Sequence, residues 1–226
     1  MGKNMRDDEF KKYQKSVEGL LTSYFARPFS RKVTCLVADI HWITPNLLTL
    51  SSLILGTIGS LLWLTGGIFA AVIGTCIFHL GYILDCSDGE LARYRGLKSK
   101  FGEALDPICD RILEILLIFC ATVIQISESD NNIWYYVGFF AVSINFMFEY
   151  IDVWLNRIFA TKGHFEIKKR FLFISEHQNL SYREIILYVL PFTVCLGLPN
   201  LGLSLVCIGG AISFPIQVWR LWKKVD

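Results

Sequence analysis

The sequence predicts an all-α integral membrane protein, with six transmembrane helices and an amphipathic helix ahead of the first. Three observations predict this. Of 226 residues, 53% are hydrophobic and only 19% are charged, against about 25% charged in a soluble domain. Six apolar stretches approach or exceed the roughly 20 residues that a helix needs to cross a bilayer core of about 30 Å. All 22 Lys and Arg fall in alternate segments of the chain, residues 1–43, 85–111, 156–183 and 220–226. The same composition excludes disorder, which needs low hydrophobicity and high net charge. A net charge of +2 gives no electrostatic footprint for nucleic acid, so none is expected as a partner.

The elements follow in chain order. Phe10, Tyr13, Val17, Leu20, Leu21, Tyr24 and Phe25 recur at helical spacing among Lys and Arg. This pattern suits a helix lying in the membrane interface, and it is favoured over a soluble flap. Residues 1–43 thus form an interfacial segment and residues 44–226 a membrane domain. Thr44-Pro45 reads as an N-cap with proline at the first helical position, opening a span from Thr44 to Thr65. Gly66-Gly67 turns the chain into a second span, Ile68 to Leu84. The third runs from about Ile108 to Ile126 and the fourth from Ile133 to Leu155. Ser181-Tyr-Arg-Glu184 reads as a capping box for a short fifth span, Glu184 to Leu198, which holds Pro191. The sixth, Leu201 to Trp222, holds Pro215. Both prolines predict kinks that neighbouring helices can tolerate.

With the N-terminus cytoplasmic, residues 1–43, 85–111, 156–183 and 220–226 carry eight, five, six and three basic residues, which accounts for all 22. The connections near 66, 127–132 and 199 carry none. By the positive-inside rule both termini and the loops at 85–111 and 156–183 are cytoplasmic. The Asn179-Leu-Ser181 sequon then falls on the inner side and should stay unmodified. The seven cysteines show no CxxC spacing and lie mostly in apolar runs, so they read as reduced packing residues rather than a disulfide or zinc framework. The N-terminal stretch lacks the apolar core of a secretory signal.

The chemistry concentrates between spans two and three, in LDCSDGELARYRGLKSKFGEALDPICDRI. Asp85 and Asp88 are three residues apart, and Asp106 and Asp110 four apart. Such spacings put each pair on one helix face, about 4.5 and 6 Å apart along the axis. A short inner loop makes the two helices antiparallel neighbours, so the pairs can converge at the inner boundary of the membrane. Four carboxylates there need compensation. Two hard divalent cations, Mg2+ or Mn2+, supply it with oxygen ligands, and a metal pair can clamp an in-line phosphoryl displacement. Gly102 lies on the face of Asp106 and Asp110, and Gly89 and Ala92 follow Asp88. Small residues there admit a ligand close to the backbone, although helix packing also selects them. Arg93 can hold an anionic ligand or brace an aspartate.

The pattern Asp85-x2-Asp88-Gly89-x2-Ala92-Arg93-x8-Gly102-x3-Asp106-x3-Asp110 resembles the signature of the CDP-alcohol phosphotransferases, and all eight positions match. The resemblance implies a reaction. An acceptor hydroxyl attacks the β-phosphorus of a CDP-linked alcohol, often CDP-diacylglycerol, forming a phosphodiester and releasing CMP. It implies that Asp85, Asp88, Asp106 and Asp110 bind metal and that Asp110 is also the general base. It implies that Gly89, Ala92, Arg93 and Gly102 line the cytidine diphosphate pocket. Pro45-Asn46-x2-Thr49 resembles the short motif opening the family's first membrane helix, which adds Asn46 and Thr49 to that pocket. Homodimers are common in the family and are expected here. Phosphoryl transfer itself is mostly positioning and charge neutralisation, and a carboxylate near the acceptor hydroxyl can take its proton.

The acceptor is less legible. Arg157 and Arg183 flank helix ends in a basic loop and are candidates for an acceptor phosphate, whereas Lys168-Lys169-Arg170 suits anionic headgroups. Glu114, Glu149 and Asp152 are read as structural partners of arginines, and His79 as a hydrogen-bonded helix histidine. Glu90 makes the local sequence DGELAR, similar to prokaryotic members that include enzymes acting on polar inositol donors. The favoured reading is a CDP-diacylglycerol donor with a polar polyol acceptor such as inositol phosphate or glycerol phosphate. The alternatives are a CDP-linked polar alcohol as donor or, from another class, a membrane ion transporter with an acidic cation site.

Overall fold

The structure, a computed structural model, describes residues 10–15, 19–129, 131–160 and 181–225, with side chains in 152–160, 220–221 and 223–225 outside the description. Every regular element among the described residues is helical. The chain divides into two compact units, residues 1–116 and 117–226.

In the first unit a single 3-10 turn, Lys11–Tyr13, precedes a wide π turn at Thr22–Ala26 and then helix α1, Arg27–Val37. This corrects the single helical face expected from Phe10 to Phe25. Gln14 is extended (ψ 158°), and the aromatic stripe divides. Phe10 is buried, its ring centroid 4.6 Å from that of Tyr94, while Tyr24, Phe25, Phe29 and Leu36 stay exposed. Periodicity alone cannot distinguish apolar residues that face lipid from those that face protein.

Helix α2, Pro45–Leu62, begins as expected: the Thr44 hydroxyl accepts from Leu47 N (3.2 Å) and proline takes the first turn. Gly66 and Gly67 turn the chain at φ +84° and +80° into helix α3, Ile68–Arg95. The α2 and α3 backbones approach closely. A Cβ on Gly59 would lie 2.5 Å from the Gly74 carbonyl, and one on Gly81 would lie 2.9 Å from that of Ser52. Small residues at this seam let the backbones touch, and the contact sets the depth at which α2 faces the end of α3.

Gly96, at φ +66°, ends α3 in the left-handed conformation that favours glycine. The Ser99 hydroxyl then accepts from Gly102 N (3.0 Å) at the start of helix α4, Lys100–Ser129. The connection is as short as expected, and α4 runs through Pro107 without ending. The division between the units falls at Leu116/Leu117, inside α4.

In the second unit helices α5, Ile133–Ala160, and α7, Pro199–Val225, pack together. Between them in sequence lies Tyr182–Glu184, which continues through a π turn, Ile185–Val189, into α6, Leu190–Cys195. The capping box is formed in both directions, with Glu184 N to Ser181 Oγ at 3.3 Å and Ser181 N to Glu184 Oε2 at 3.1 Å. Pro191 explains the wide turn before it, because proline cannot donate to the carbonyl one turn back. Leu117, Ile118, Ala141, Ile186, Leu190 and Leu203 are wholly buried in this unit.

Among the described residues three helices are long and apolar enough to cross a membrane by length and composition: Pro45–Thr65, Ile68–Arg95 and Pro199–Trp219. They correspond to the first, second and sixth expected spans. The third and fourth lie inside the continuous helices α4 and α5, and the fifth inside the interrupted stretch 182–195. All seven cysteines are free thiols, as expected.

Candidate active site

Helical geometry places Asp85 and Asp88 on one face near the end of α3, and Asp106 lies on α4 across the short connection. One carboxylate oxygen from each of the three lies within 4.8 Å of the others. Asp88 is buried and Asp85 and Asp106 are half-buried. Asp110 lies one turn further along α4, half-buried, and is not a member of this group. Three ionised carboxylates this close repel one another, and every donor is a hard oxygen. That donor set fits a hard divalent cation and does not fit a soft or imidazole-seeking metal.

Thr49 is buried in α2, and its hydroxyl donates to Asp88 Oδ2. The seam of glycines brings α2 near enough for this contact. The same helix start places Asn46 against the beginning of α4: a Cβ on Gly102 would meet Asn46 Oδ1 and Ser99 Oγ, each at 3.1 Å. Two of the expected nucleotide-pocket residues, far apart in sequence, therefore adjoin. At Gly89 a Cβ would lie 3.1 Å from Arg93 Nη1, so the guanidinium rests over a residue that has no side chain. Arg93 Nε donates to the Tyr13 carbonyl. Ala92 is half-buried, and its carbonyl accepts from Leu97 N at 2.9 Å.

The remaining candidates divide in the same plain way. Glu114 is wholly buried and pairs with Arg111 (Nη2 to Oε1, 2.7 Å), as the arginine-pairing reading expected. His79 Nδ1 lies 2.9 Å from the Thr75 carbonyl of its own helix. Arg183 is half-buried in the second unit. Arg157 belongs to α5, but its side chain, that of Asp152 and the run Lys168-Lys169-Arg170 lie outside the described residues, as does Asn179.

Sequence reasoning missed a polar knot on the opposite face of α3. Glu90 has no exposed surface, and its carboxylate accepts from Arg27 Nη1 (2.7 Å), Ser30 Oγ (2.7 Å), Thr34 Oγ1 (2.9 Å) and Gln14 Nε2 (3.2 Å). Arg27 also reaches the Cys86 carbonyl at 3.1 Å, and Ser87 Oγ the Ser30 carbonyl at 3.1 Å. A second arginine, Arg95, donates to the carbonyls of Val37, Ala38, Ile40 and Ile43 at 2.6–3.1 Å. It holds the end of α1 and the approach to α2. The available signal was the polar series Arg27, Ser30 and Thr34, at intervals of three and four on a helix whose Phe29 and Leu36 are exposed.

An all-α chain with apolar helices of membrane-crossing length and three converging carboxylates fits a class: a membrane protein with a site suited to a divalent cation. Residues 42–215 match the CDP-alcohol phosphatidyltransferase family, and the chain belongs to that family. The family is named for phosphatidyl transfer from CDP-alcohols. The ion-transporter alternative is thereby set aside. The bifunctional IPC transferase and DIPP synthase of Thermococcus kodakarensis is 30% identical over 157 residues, 67% of this chain and 34% of that protein. The CDP-diacylglycerol--glycerol-3-phosphate 3-phosphatidyltransferase of Rickettsia typhi is 33% identical over 87 residues, 38% of this chain and 46% of that protein. This chain thus spans about a third to a half of the length of these two relatives. In fold it is similar to the phosphatidylinositol phosphate synthase of Mycobacterium tuberculosis with CDP-DAG bound, at a TM-score of 0.64 and 20% identity, covering 87% of this chain and 94% of that one.

Proposed function

We propose that the chain transfers a phosphatidyl group from CDP-diacylglycerol to the hydroxyl of a polar polyol, such as inositol phosphate or glycerol phosphate. The observation that carries the site is the convergence of Asp85, Asp88 and Asp106, with Thr49 donating to Asp88. These carboxylates, with Asp110, would hold two Mg2+ or Mn2+ ions. When bound, the ions supply charge neutralisation for the diphosphate. Asn46, Thr49, Gly89, Ala92, Arg93 and Gly102 form the CDP pocket, where the small residues leave room and Arg93 offers a fork of donors to phosphate oxygens. Asp110 accepts the acceptor proton as the acceptor oxygen bonds to the β-phosphorus. The bond from that phosphorus to the bridging oxygen breaks, and CMP departs with the bridging oxygen. Arg157 and Arg183 bind the acceptor phosphate.

In this reading six helices cross the membrane, residues 44–226 being the membrane domain. Residues 1–43 lie at the interface, with exposed Tyr24, Phe25, Phe29 and Leu36 turned to lipid. Both termini and the site are cytoplasmic, as the distribution of basic residues supports, and the protein is a homodimer. A second reading, with a CDP-linked polar alcohol as donor, is supported by the local sequence DGELAR and by similarity to a DIPP synthase, whose name carries no phosphatidyl group.

The test uses the purified full chain with Mg2+, either CDP-diacylglycerol or a CDP-linked polyol, and a panel of polyol phosphates, scored for CMP release and product. Release from CDP-diacylglycerol only with a polyol phosphate present supports the first reading. Release only from the CDP-linked polyol replaces it with the second. No acceptor-dependent CMP release from either donor overturns both.

A further inference from the structure

The polar knot around Glu90 lies on the face of α3 opposite Asp85 and Asp88, and it leads to Arg93. Gln14 Nε2 donates both to Glu90 Oε1 (3.2 Å) and to the Arg27 carbonyl (3.0 Å). The residue before it, Tyr13, turns its carbonyl to Arg93 Nε. Tyr13 and Phe10 both pack on Tyr94, at 5.3 and 4.6 Å between ring centroids. The N-terminal segment is therefore fastened to α3 at two points, one polar at Gln14 and one aromatic at Tyr94. Between them, one backbone carbonyl is presented to the guanidinium.

An arginine fork is planar, so fixing its Nε fixes the plane in which both Nη groups point. The opposite side of the fork rests over Gly89, where a Cβ would lie 3.1 Å from Nη1. Arg93 is thus confined from two sides, by a bare glycine on its own helix and by a carbonyl from a segment 80 residues away. A long side chain that would otherwise lose rotamer entropy on binding phosphate is already ordered.

We propose that Gln14 is a positioning residue for Arg93. Anchored by Glu90, it holds the Tyr13 carbonyl where it orients the guanidinium toward the donor's diphosphate. The inference rests on the reading of Arg93 as a CDP-binding residue and gives the N-terminal segment a part in donor affinity. The effect of Gln14 is assigned to Arg93, and because the neighbouring Lys15 acts on Asp88 through its charge, metal affinity is measured separately.

The experiment uses the purified full chain and CDP as the probe, with binding measured by calorimetry in Mn2+, and Mn2+ affinity measured separately by electron paramagnetic resonance. Gln14→Leu keeps bulk and loses both hydrogen bonds. It is expected to weaken CDP binding about 3- to 10-fold, the range for such bonds, with Mn2+ affinity within about twofold of wild type. Gln14→Glu keeps the shape, sets a carboxylate beside Glu90, and should weaken CDP binding further. In an Arg93→Ala background Gln14→Leu should cause no additional loss, because the group it positions is gone. Unchanged CDP affinity in Gln14→Leu, a loss that persists undiminished in the Arg93→Ala background, or a parallel fall in Mn2+ affinity would each overturn the proposal. Loss of the fold in both Gln14 variants would overturn it as well, since the segment would then serve stability alone. An Arg93→Ala protein that binds CDP like wild type identifies the other failure: the reading of Arg93 is wrong, and this inference falls with it.

Discussion

Replacing Asp110 with asparagine separates two roles that one carboxylate is asked to play. Asp110 lies four residues beyond Asp106 on a continuous helix, a displacement of about 6 Å along the axis. It stands outside the group in which Asp85, Asp88 and Asp106 approach within 4.8 Å. The Asp110→Asn variant therefore leaves that set intact and keeps a carbonyl oxygen at this position, but the amide cannot accept a proton. Donor binding in the presence of Mg2+ should weaken only modestly. The chemical step should slow by about 10²- to 10⁴-fold, the usual contribution of a general base, which is about 3–5 kcal/mol at 1.36 kcal/mol per decade. Asp85→Asn instead removes a member of the cluster and should lose metal and donor affinity together. The assay pairs calorimetry of donor binding with single-turnover CMP release for both variants. If Asp110→Asn loses donor binding as fully as Asp85→Asn, Asp110 is chiefly a metal ligand and the base lies elsewhere. Glu114 is a poor substitute, since it is wholly buried and paired with Arg111.

Asp85→Asn, Asp88→Asn and Asp106→Asn should each reduce CMP release below about a tenth of wild type with helicity by circular dichroism unchanged, because each removes a charge from a cluster suited to a divalent cation. EDTA should stop turnover, and Mg2+ or Mn2+ should restore it. Retained activity in all three variants would refute the metal reading. On a cysteine-free background, Glu166→Cys should react with an impermeant thiol reagent only from the cytoplasmic face, and labelling from the outer face alone would reverse the topology. Arg95→Ala removes the donors to four carbonyls between Val37 and Ile43. It should cost about 3 kcal/mol or more, at roughly 1.5–3 kcal/mol for a charged hydrogen bond. A thermal midpoint unchanged from wild type would show that water replaces those contacts freely.

Much of this protein is legible in its sequence because the relevant forces act between residues close in the chain. The Thr44 cap, the Ser181 box, the Gly66-Gly67 turn and the pairing of acids at three and four residues are local geometry, set by helical repeat and backbone chemistry. The helical class, the three apolar helices of membrane-crossing length and the shared face of Asp85 and Asp88 follow from them. Tertiary structure decided what local rules cannot reach. Thr49 meets Asp88 across 39 residues, Arg27 meets Glu90 across 63, and Tyr13 meets Arg93 across 80. Which face of one helix meets which face of another depends on close approaches such as that at Gly59 and Gly74, and no spacing in the sequence encodes the partner. The N-terminal aromatics show the same limit. Phe10 and Tyr24 share one apolar period, but only packing against Tyr94 determined that the first would be buried in protein and the second left exposed. A carboxylate such as Glu90, two residues past a cluster member, looks like part of a motif in sequence. Burial obliges it to find donors, and those donors come from Gln14 and from a helix that only the folded chain brings alongside.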